Sequence, residues 1–343
     1  MPETIRNLVS TIIPVRNRPQ LLKEAVESVL AQSHRPVEAL IVDDGSTDDT
    51  PTMADQLTAC HPEIVKPLIR NPPLGPGPAR EAGRKAAQGE FIQYLDSDDL
   101  LRPRKFELQI QALRERPECG IAYGHICVHK QGMPPSTQPF KASGERREML
   151  FPWILSDRWW NTDAPLWRRS LCDQMGPWTD LRWSQDWEYD GRAGSLNTKL
   201  AYVNEFVCDE RHHAPNRNTI PANWMETDRL LARKRFFELM LGHAEKAGVA
   251  EVDPCRQHFA RWVFSMTRQA AAAGQVDIAK DLFAIADRAA GKVNITRRGF
   301  GLFQVSAQFF GWELAGRLWQ SPLTSWKKPG KLTQEQSFTR PVQ

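Results

Sequence analysis

Residues 91–99 read Phe-Ile-Gln-Tyr-Leu-Asp-Ser-Asp-Asp, a mostly apolar run followed by three carboxylates within four positions. A short apolar run that ends in polar residues is typical of a strand buried within a parallel sheet. Ligands of open α/β sheets bind at the carboxyl ends of such strands. The stretch therefore predicts a central strand, Phe91–Leu95, with a ligand site directly after it.

Similar runs occur on the N-terminal side of this stretch, and helical patterns separate them. Such alternation predicts an α/β fold, with a mostly parallel sheet flanked by helices. The other predicted strands are Leu8–Val15, Ala39–Val42 and Ile64–Ile69, and helices are expected from Pro19, over Thr50–Ala59 and over Arg80–Ala87.

The rest of the chain is less regular. A helix after Pro103 and a strand over Ile121–Val128 precede a loop, a mixed aromatic region and a long helical stretch. We expect one large α/β domain over residues 1–220. A helical C-terminal region over 221–330 and a disordered tail over 331–343 would follow.

Composition narrows the class of protein. The 45 basic residues nearly balance the 41 acidic ones, which argues against a dedicated nucleic-acid binder. The six cysteines are scattered without a C-x-x-C pair, as in proteins with reduced thiols. The sequence shows neither a signal-peptide pattern nor a run of about 18 apolar residues, and we expect a cytoplasmic protein.

Two acidic clusters follow predicted strands, Asp43-Asp44 and Asp96-Ser97-Asp98-Asp99. Carboxylates this close repel each other unless a cation or hydrogen-bond donors neutralise them. Asp-x-Asp suits a hard divalent ion, Mg²⁺ or Mn²⁺, which a diphosphate can also bind. Both clusters also precede helices, so their aspartates could instead be N-caps and turn formers.

Several motifs in register resemble the inverting family 2 glycosyltransferases, which have the GT-A fold. The matching segments are residues 10–18 (STIIPVRNR), 42–48 (VDDGSTD), 79–80 (AR) and 87–99 (AQGEFIQYLDSDD). The resemblance covers roughly residues 8–215. It implies that the domain over residues 1–220 is catalytic, with a nucleotide-binding half at about 1–130 and an acceptor half at about 131–220. It implies transfer of a sugar from a nucleotide-sugar donor, with a UDP-sugar favoured, to a hydroxyl of a glycan or lipid-linked acceptor.

The resemblance also implies roles for individual residues around the donor. Pro14 and Arg16 would line the nucleotide pocket, and Asp44 would accept a hydrogen bond from the base. Arg80 would lie near the base or phosphates. In Asp96-Ser97-Asp98, Asp96 would hold the ribose hydroxyls and Asp98 the Mn²⁺ or Mg²⁺ ion.

An inverting displacement also needs a base that takes the acceptor's proton. The family carries an acidic pair, usually Glu-Asp, at the place of Gln185-Asp186 in this sequence. Asp186 is therefore the candidate base and Glu188 the second choice, although Asp186 could also cap a helix. Glutamine at position 185 cannot titrate.

The resemblance also implies roles for three further residues. His213, in an Arg-x-His element, would help to hold the metal or diphosphate, or would be a surface residue. Thr162 and Asp163 lie where the family lines the acceptor side.

Near the C-terminus, Arg297-Arg298 and Lys327-Lys328 bracket an aromatic and apolar stretch. Such a stretch could lie on the inner face of an anionic membrane, near a lipid-linked acceptor. It could also be a helical appendage packed on the catalytic domain.

Two rival functions remain at this point. A sugar nucleotidyltransferase shares the architecture, but the first strand here leads into Pro14-Val15-Arg16-Asn17 without a glycine-rich loop. A non-catalytic relative that binds nucleotide-sugar is the other, and Gln185 is the feature that favours it.

Overall fold

The computed structural model describes residues 3–70, 73–212 and 226–319. The chain forms two compact units. Residues 1–151 and 158–221 make up the N-terminal unit, and residues 152–157 and 222–343 make up the C-terminal unit. The short segment Pro152–Asp157 thus belongs to the C-terminal unit, which differs from the continuous 1–220 domain expected from sequence. The tail predicted over 331–343 lies outside the described residues.

The N-terminal unit alternates strands and helices along its first half, as predicted. Its strands are β1 (Ile5–Val15), β2 (Val37–Asp44), β3 (Val65–Arg70), β4 (Gly89–Tyr94), β5 (Leu100–Leu101), β6 (Cys119–Lys130), β7 (Leu166–Arg168) and β8 (Lys199–His212). Its helices are α1 (Pro19–Leu30), α2 (Thr50–Cys60), α3 (Pro76–Ala86), α4 (Lys105–Glu115), α5 (Arg169–Met175) and α6 (Gln185–Ser195).

The eight strands form one sheet in the order β3-β2-β1-β4-β7-β6-β8-β5. Strands β3, β2, β1 and β4 pair in parallel, with Ile12 of β1 opposite both Leu40 and Tyr94. The carboxyl ends of β1, β2 and β4 therefore lie at one edge of the sheet. Every residue of β2 is buried, as its apolar run indicates.

The other half of the sheet is mixed. β7 pairs antiparallel with β4 and β6, β6 pairs parallel with β8, and β5 pairs antiparallel with β8. The expected mostly parallel sheet with flanking helices is confirmed. The antiparallel pairings were not predicted, because three-residue β7 is too short to show a period.

An aromatic cluster packs α6 against the sheet. The rings of Trp178 and Tyr189 stack with centroids 4.0 Å apart, and Tyr94 of β4 meets Trp178 edge-on at 4.8 Å. All three rings are buried. Because β4 and α6 share this cluster, the ends of both elements are held in a fixed relation.

The C-terminal unit is helical, as predicted. It contains α7 (Thr227–Lys246), α8 (Pro254–Ala272), α9 (Val276–Ala290), α10 (Asn294–Phe310) and α11 (Trp312–Leu318), together with a 3₁₀ turn at Trp153–Leu155. Asp253 caps α8 by accepting from the backbone N–H of Cys255 at 2.8 Å. Among the helices described, none has the length and apolar character needed to cross a bilayer.

Candidate functional site

A pocket of about 540 Å³ opens in the N-terminal unit at the carboxyl ends of β1, β2 and β4. Residues predicted from the sequence make up most of its lining, namely Pro14, Arg16, Asp44, Arg80, Asp96, Ser97, Asp98 and Asp186. The other lining residues are Val15, Arg18, Gly75, Pro76 and Gln185. The parallel register explains this convergence, because three strands end at the same edge.

Asp44 shapes the loop that leads into α3. Its two carboxylate oxygens accept the backbone N–H groups of Leu74 at 2.8 Å and of Gly75 at 2.7 Å. Gly75 has a φ of +93°, a backbone conformation that is strained for any residue with a side chain. These bonds fix the start of α3 against the end of β2, a role that the sequence did not predict for Asp44.

Arg80 is a buried cation in the pocket wall. Its Nη2 donates to Asp96 at 2.5 Å, and its guanidinium lies 5.1 Å from the ring centroid of Trp178. Its Nε and Nη1 are buried without a hydrogen-bond partner among the residues described. Unpaired buried donors are costly, so this side of the guanidinium suits an anionic ligand.

Asp98 faces a different cation. Its carboxylate lies 2.9 Å from Nη1 of Arg18, whose side chain is 46% exposed. A half-exposed arginine can be displaced at little cost, unlike buried Arg80. Oxygen ligands at a pocket that can admit a diphosphate are the donors that Mg²⁺ and Mn²⁺ prefer, so Asp98 fits a divalent ion.

Asp99 and Asp163 form a buried carboxyl pair beneath the pocket. Burial is the main cause that raises the pKa of Asp99 to about 7. The charge of Asp96 also raises this pKa, whereas a hydrogen bond with Asp163 lowers it. Burial also holds the pKa of Asp163 well above its usual value. Both carboxyl groups are therefore protonated more readily than exposed aspartates.

The sequence predicted that Thr162 and Asp163 line the acceptor side, but the structure places both side chains away from the pocket. Asp163 is fully buried and accepts the backbone N–H of Asp96 at 2.7 Å, and Thr162 is buried as well. Neither residue lines the pocket. Asp163 instead holds the turn that presents the Asp-x-Asp motif.

Asp186 stands in the first turn of α6 and is ion-paired to Arg158. Nη1 of Arg158 lies 2.6 Å from Asp186, and Nε of Arg158 lies 2.6 Å from buried Asp190. Burial alone would raise the pKa of Asp186, but attraction to Arg158 and Arg80 outweighs it and lowers the pKa. Asp186 is therefore ionised at neutral pH.

Gln185 also reaches the pocket. The preceding Ser184 has a φ of +59°, uncommon for a residue with a side chain, and begins the turn into α6. The side-chain oxygen of Gln185 is buried without a hydrogen-bond partner among the described residues. Gln185 thus offers a neutral acceptor beside Asp186, where the family usually has glutamate.

Glu188, the second choice for the base, is placed elsewhere. It is buried, and Nη2 of Arg192 contacts it at 2.5 Å, one helical turn later. It does not line the pocket. A base role for Glu188 therefore does not agree with its position.

His213 lies outside the described residues. The preceding Arg211 ties the end of β8 to the metal motif, because its backbone N–H donates to Asp99 and its Nε to the carbonyl of Asp98, both at 2.7 Å.

A group of side chains that could bind a metal ion lies outside the pocket, on β6 and β8. Cys127, His129 and Asp209 bring their side chains together, with Nε2 of His129 2.9 Å from Asp209. Nη2 of Arg102 contacts the same carboxylate at 2.6 Å. Because Arg102 already balances the charge of Asp209, this group does not need a bound cation.

Sequence reasoning missed Arg18 and Arg158. Arg18 lies two positions from Arg16 in the same loop, so its proximity to the pocket could have been inferred. Arg158 pairs with residues 28 and 32 positions away, and no local pattern points to such partners.

This arrangement defines a class. A mostly parallel sheet with an Asp-x-Asp motif at its strand ends, cations beside the motif and a carboxylate on a neighbouring helix suits a ligand that carries phosphates. Residues 10–163 match the model of the family described as "Glycosyl transferase family 2". Over these residues the chain is similar to the family 2 glycosyltransferases.

Individual proteins show the same similarity. The chain is 41% identical over 123 residues to an uncharacterized glycosyltransferase of Rickettsia conorii, covering 36% of this chain and 19% of the relative. It is 30% identical over 211 residues to an uncharacterized glycosyltransferase of Nostoc sp., covering 57% of this chain and 63% of the relative. The chain thus spans less than two thirds of either relative.

The fold is similar to that of a solved structure. The crystal structure of S. aureus TarS 1-349 in complex with UDP-GlcNAc has a TM-score of 0.64 and 16% identity to this chain. The match covers 90% of this chain and 89% of that one.

Proposed function

We propose that this protein is a metal-dependent, inverting glycosyltransferase that moves a sugar from a nucleoside-diphosphate sugar to an acceptor hydroxyl. The observation that carries the proposal is the convergence of Asp98, Arg80 and Asp186 on one pocket. These side chains supply a metal ligand, a cation for the phosphates and a base.

The pocket volume supports a small-molecule donor. About 540 Å³ lies within the range of roughly 300–1,000 Å³ typical of such sites. The unpartnered N–H groups of Arg80 suit a phosphate oxygen. A UDP-sugar is the proposed donor, since S. aureus TarS, which shares the fold, was solved with UDP-GlcNAc, and Asp44 has lone pairs left for the uracil imide.

Asp98 would hold the Mn²⁺ or Mg²⁺ ion, and Asp96 would hold the ribose hydroxyls. The bound ion would stabilise the negative charge that grows on the departing diphosphate. Arg18, now paired with Asp98, is exposed enough to move to the phosphates.

Asp186 is the proposed base. The acceptor oxygen attacks the anomeric carbon, Asp186 takes its proton, and the bond to the diphosphate breaks with its electron pair leaving on the nucleotide. Because the attack comes from the face opposite the leaving group, the anomeric centre inverts. Arg158 holds Asp186 in its ionised form and orientation.

The experiment is Asp186→Asn, assayed for sugar transfer and for UDP binding by calorimetry. Loss of a general base costs about 10²–10⁴-fold in rate, so we expect transfer to fall by this factor while UDP affinity stays similar. Asp55→Asn, on the exposed side of α2, is the matched control and should leave both unchanged. Undiminished transfer by Asp186→Asn would contradict the assigned base.

The two rival functions give different results. A nucleotidyltransferase would release pyrophosphate from UTP and a sugar phosphate. A non-catalytic relative would bind UDP yet transfer nothing from any of a panel of nucleotide sugars, even as the unmodified protein.

The metal is tested separately through Asp98→Ala. We expect Mn²⁺ to strengthen UDP binding to the unmodified protein and to have little effect on the variant. If calorimetry gave the same UDP affinity with and without Mn²⁺ in both proteins, the proposed metal dependence would be wrong.

A further inference from the structure

An arginine lies at the carboxylate that is proposed to bind the metal ion. Nη1 of Arg18 lies 2.9 Å from Oδ2 of Asp98, and both residues line the pocket. A divalent ion bound to Asp98 would lie close to this guanidinium, and like charges at short distance repel each other. Arg18 and the ion therefore compete for the same carboxylate.

The backbone of the loop that carries Arg18 is held in place. The N–H of Arg18 donates to Oγ1 of Thr50 at 2.9 Å, which joins the loop to the start of α2. The N–H of the preceding Asn17 donates to Oγ of Ser46, also at 2.9 Å. Arg18 can therefore leave Asp98 by rotation of its side chain alone.

Asp98 belongs to a turn that is also fixed. Its carbonyl accepts Nε of Arg211 at 2.7 Å, and the N–H of Asp99 donates to the carbonyl of Asp96 at 3.0 Å. The side chain of Asp98 is 11% exposed, whereas that of Arg18 is 46% exposed. An ion pair with a half-exposed partner is weak, so the arginine is the group that moves and the carboxylate stays.

A diphosphate in the pocket offers Arg18 a second partner. Guanidinium groups bind phosphate oxygens through two N–H donors at once, and the resulting bonds are strong because both partners are charged. Arg80 lines the same pocket but is nearly buried and paired with Asp96. Of these two arginines, Arg18 is the one that can exchange a carboxylate for a phosphate.

We propose that Arg18 is an exchangeable counter-cation, which keeps a divalent ion from Asp98 until a nucleoside diphosphate enters the pocket. The diphosphate then takes over the guanidinium, and Asp98 becomes free to accept the ion. Binding of the ion and of the nucleotide are coupled in this way, and such coupling is reciprocal. The inference rests on the metal and donor sites of the proposed function, but not on sugar transfer itself.

The test measures Mn²⁺ binding to the full-length protein through the electron paramagnetic resonance signal of free Mn²⁺. Without nucleotide, Arg18→Gln should bind Mn²⁺ about fivefold more tightly than the unmodified protein, because the competing charge is gone. With Mn²⁺ present, the same variant should bind UDP about threefold more weakly by calorimetry, because the diphosphate loses a charged partner. A general loss of stability would not change the two affinities in opposite directions.

Arg104→Gln is the matched control, since Arg104 is also an exposed arginine in an ion pair, with Glu107, but lies outside the pocket lining. It removes the same charge and should leave both affinities unchanged. Arg18→Lys keeps the charge at position 18, so its affinity for Mn²⁺ without nucleotide should stay close to that of the unmodified protein. Equal Mn²⁺ affinity of Arg18→Gln and the unmodified protein, or an equal rise in Arg104→Gln, would overturn the proposal.

Sugar transfer separates this proposal from the proposed function. If the unmodified protein transferred no sugar from any nucleotide sugar, while Arg18→Gln gained affinity for Mn²⁺ and lost affinity for UDP, the exchange would be supported and the transferase would not. If the unmodified protein transferred sugar and Arg18→Gln bound Mn²⁺ no more tightly, the reverse would hold.

Discussion

Arg158 forms ion pairs with two carboxylates, Asp186 and Asp190. Its Nη1 lies 2.6 Å from Asp186 and its Nε lies 2.6 Å from Asp190. The same cation therefore neutralises one buried acid and keeps another ionised at the edge of the pocket. An arginine can serve two carboxylates in this way because its N–H donors point in fixed, separate directions.

The substitution Arg158→Lys tests this at the residue scale. A lysine retains the charge but cannot donate to both carboxylates with the same geometry, so the attraction that lowers the pKa of Asp186 is weakened. A base with a raised pKa becomes protonated at higher pH. We therefore expect the acidic limb of the kcat profile to move to higher pH, with kcat at neutral pH reduced by roughly tenfold or more.

Arg192→Lys is the control for this profile. It disturbs the analogous ion pair with Glu188 on the same helix, away from the pocket lining. An unchanged profile for Arg158→Lys, or an equal shift for Arg192→Lys, would contradict the role given to Arg158.

At the scale of elements, the start of α3 is positioned by close backbone packing. A Cβ on Gly77 would come within 2.5 Å of the carbonyl oxygen of Thr179 and 3.5 Å of Cγ of Gln185. The first turn of α3 can therefore approach the segment before α6 only because position 77 has no side chain. Both elements contribute pocket residues.

We expect Gly77→Ala to force these elements apart. Overpacking of this kind costs about 1–3 kcal/mol of unfolding free energy, and UDP binding should weaken with it. Urea unfolding and calorimetry measure the two effects. Gly242→Ala within α7, where an added Cβ meets nothing within 4 Å, should instead stabilise by up to about 1 kcal/mol. If the two variants behaved alike, the close approach at Gly77 would not matter.

Elements with strong local patterns were predictable from sequence. Strands β1, β2 and β4 are apolar runs, and their parallel order follows from the intervening helices, so the Asp-x-Asp motif could be placed at the strand ends. β7 could not be predicted, because its three residues pair with two strands distant in sequence.

The sequence predicted the pocket residues that follow strands, but not the long-range hydrogen bonds around them. Residues that follow strand ends, such as Arg16 and Asp98, line the pocket as expected. The partners of Asp44, Asp163 and Asp186 were not predictable, since each forms bonds to residues about 28–67 positions away.

At the scale of the whole molecule, the segment Pro152–Asp157 connects two parts of the N-terminal unit but packs in the C-terminal one. Ile154 and Leu155 are fully buried, and Ser156 contacts Sγ of Cys255 at the start of α8, at 3.6 Å. A chain that ends before α8 would leave these apolar side chains without their partner.

A fragment of residues 1–221 should therefore have a lower Tm than the full chain and bind a hydrophobic dye. The full chain keeps α8 and should bind little of the dye. Adding Ile154→Ser and Leu155→Ser to the fragment should reduce its dye binding, because these side chains are the exposed apolar surface. Equal Tm values for the fragment and the full chain would show that the segment needs no partner.

The placement of Pro152–Asp157 also limits how such a protein can be recombined. During translation this hexapeptide leaves the ribosome about a hundred residues before the helix that covers it. A chimera that borrows its C-terminal helices from a relative would have to import the matching hexapeptide from the middle of that relative's catalytic domain. Exchange at a single junction near residue 221 would combine the hexapeptide of one protein with the C-terminal helices of another, and the two would not be matched for packing.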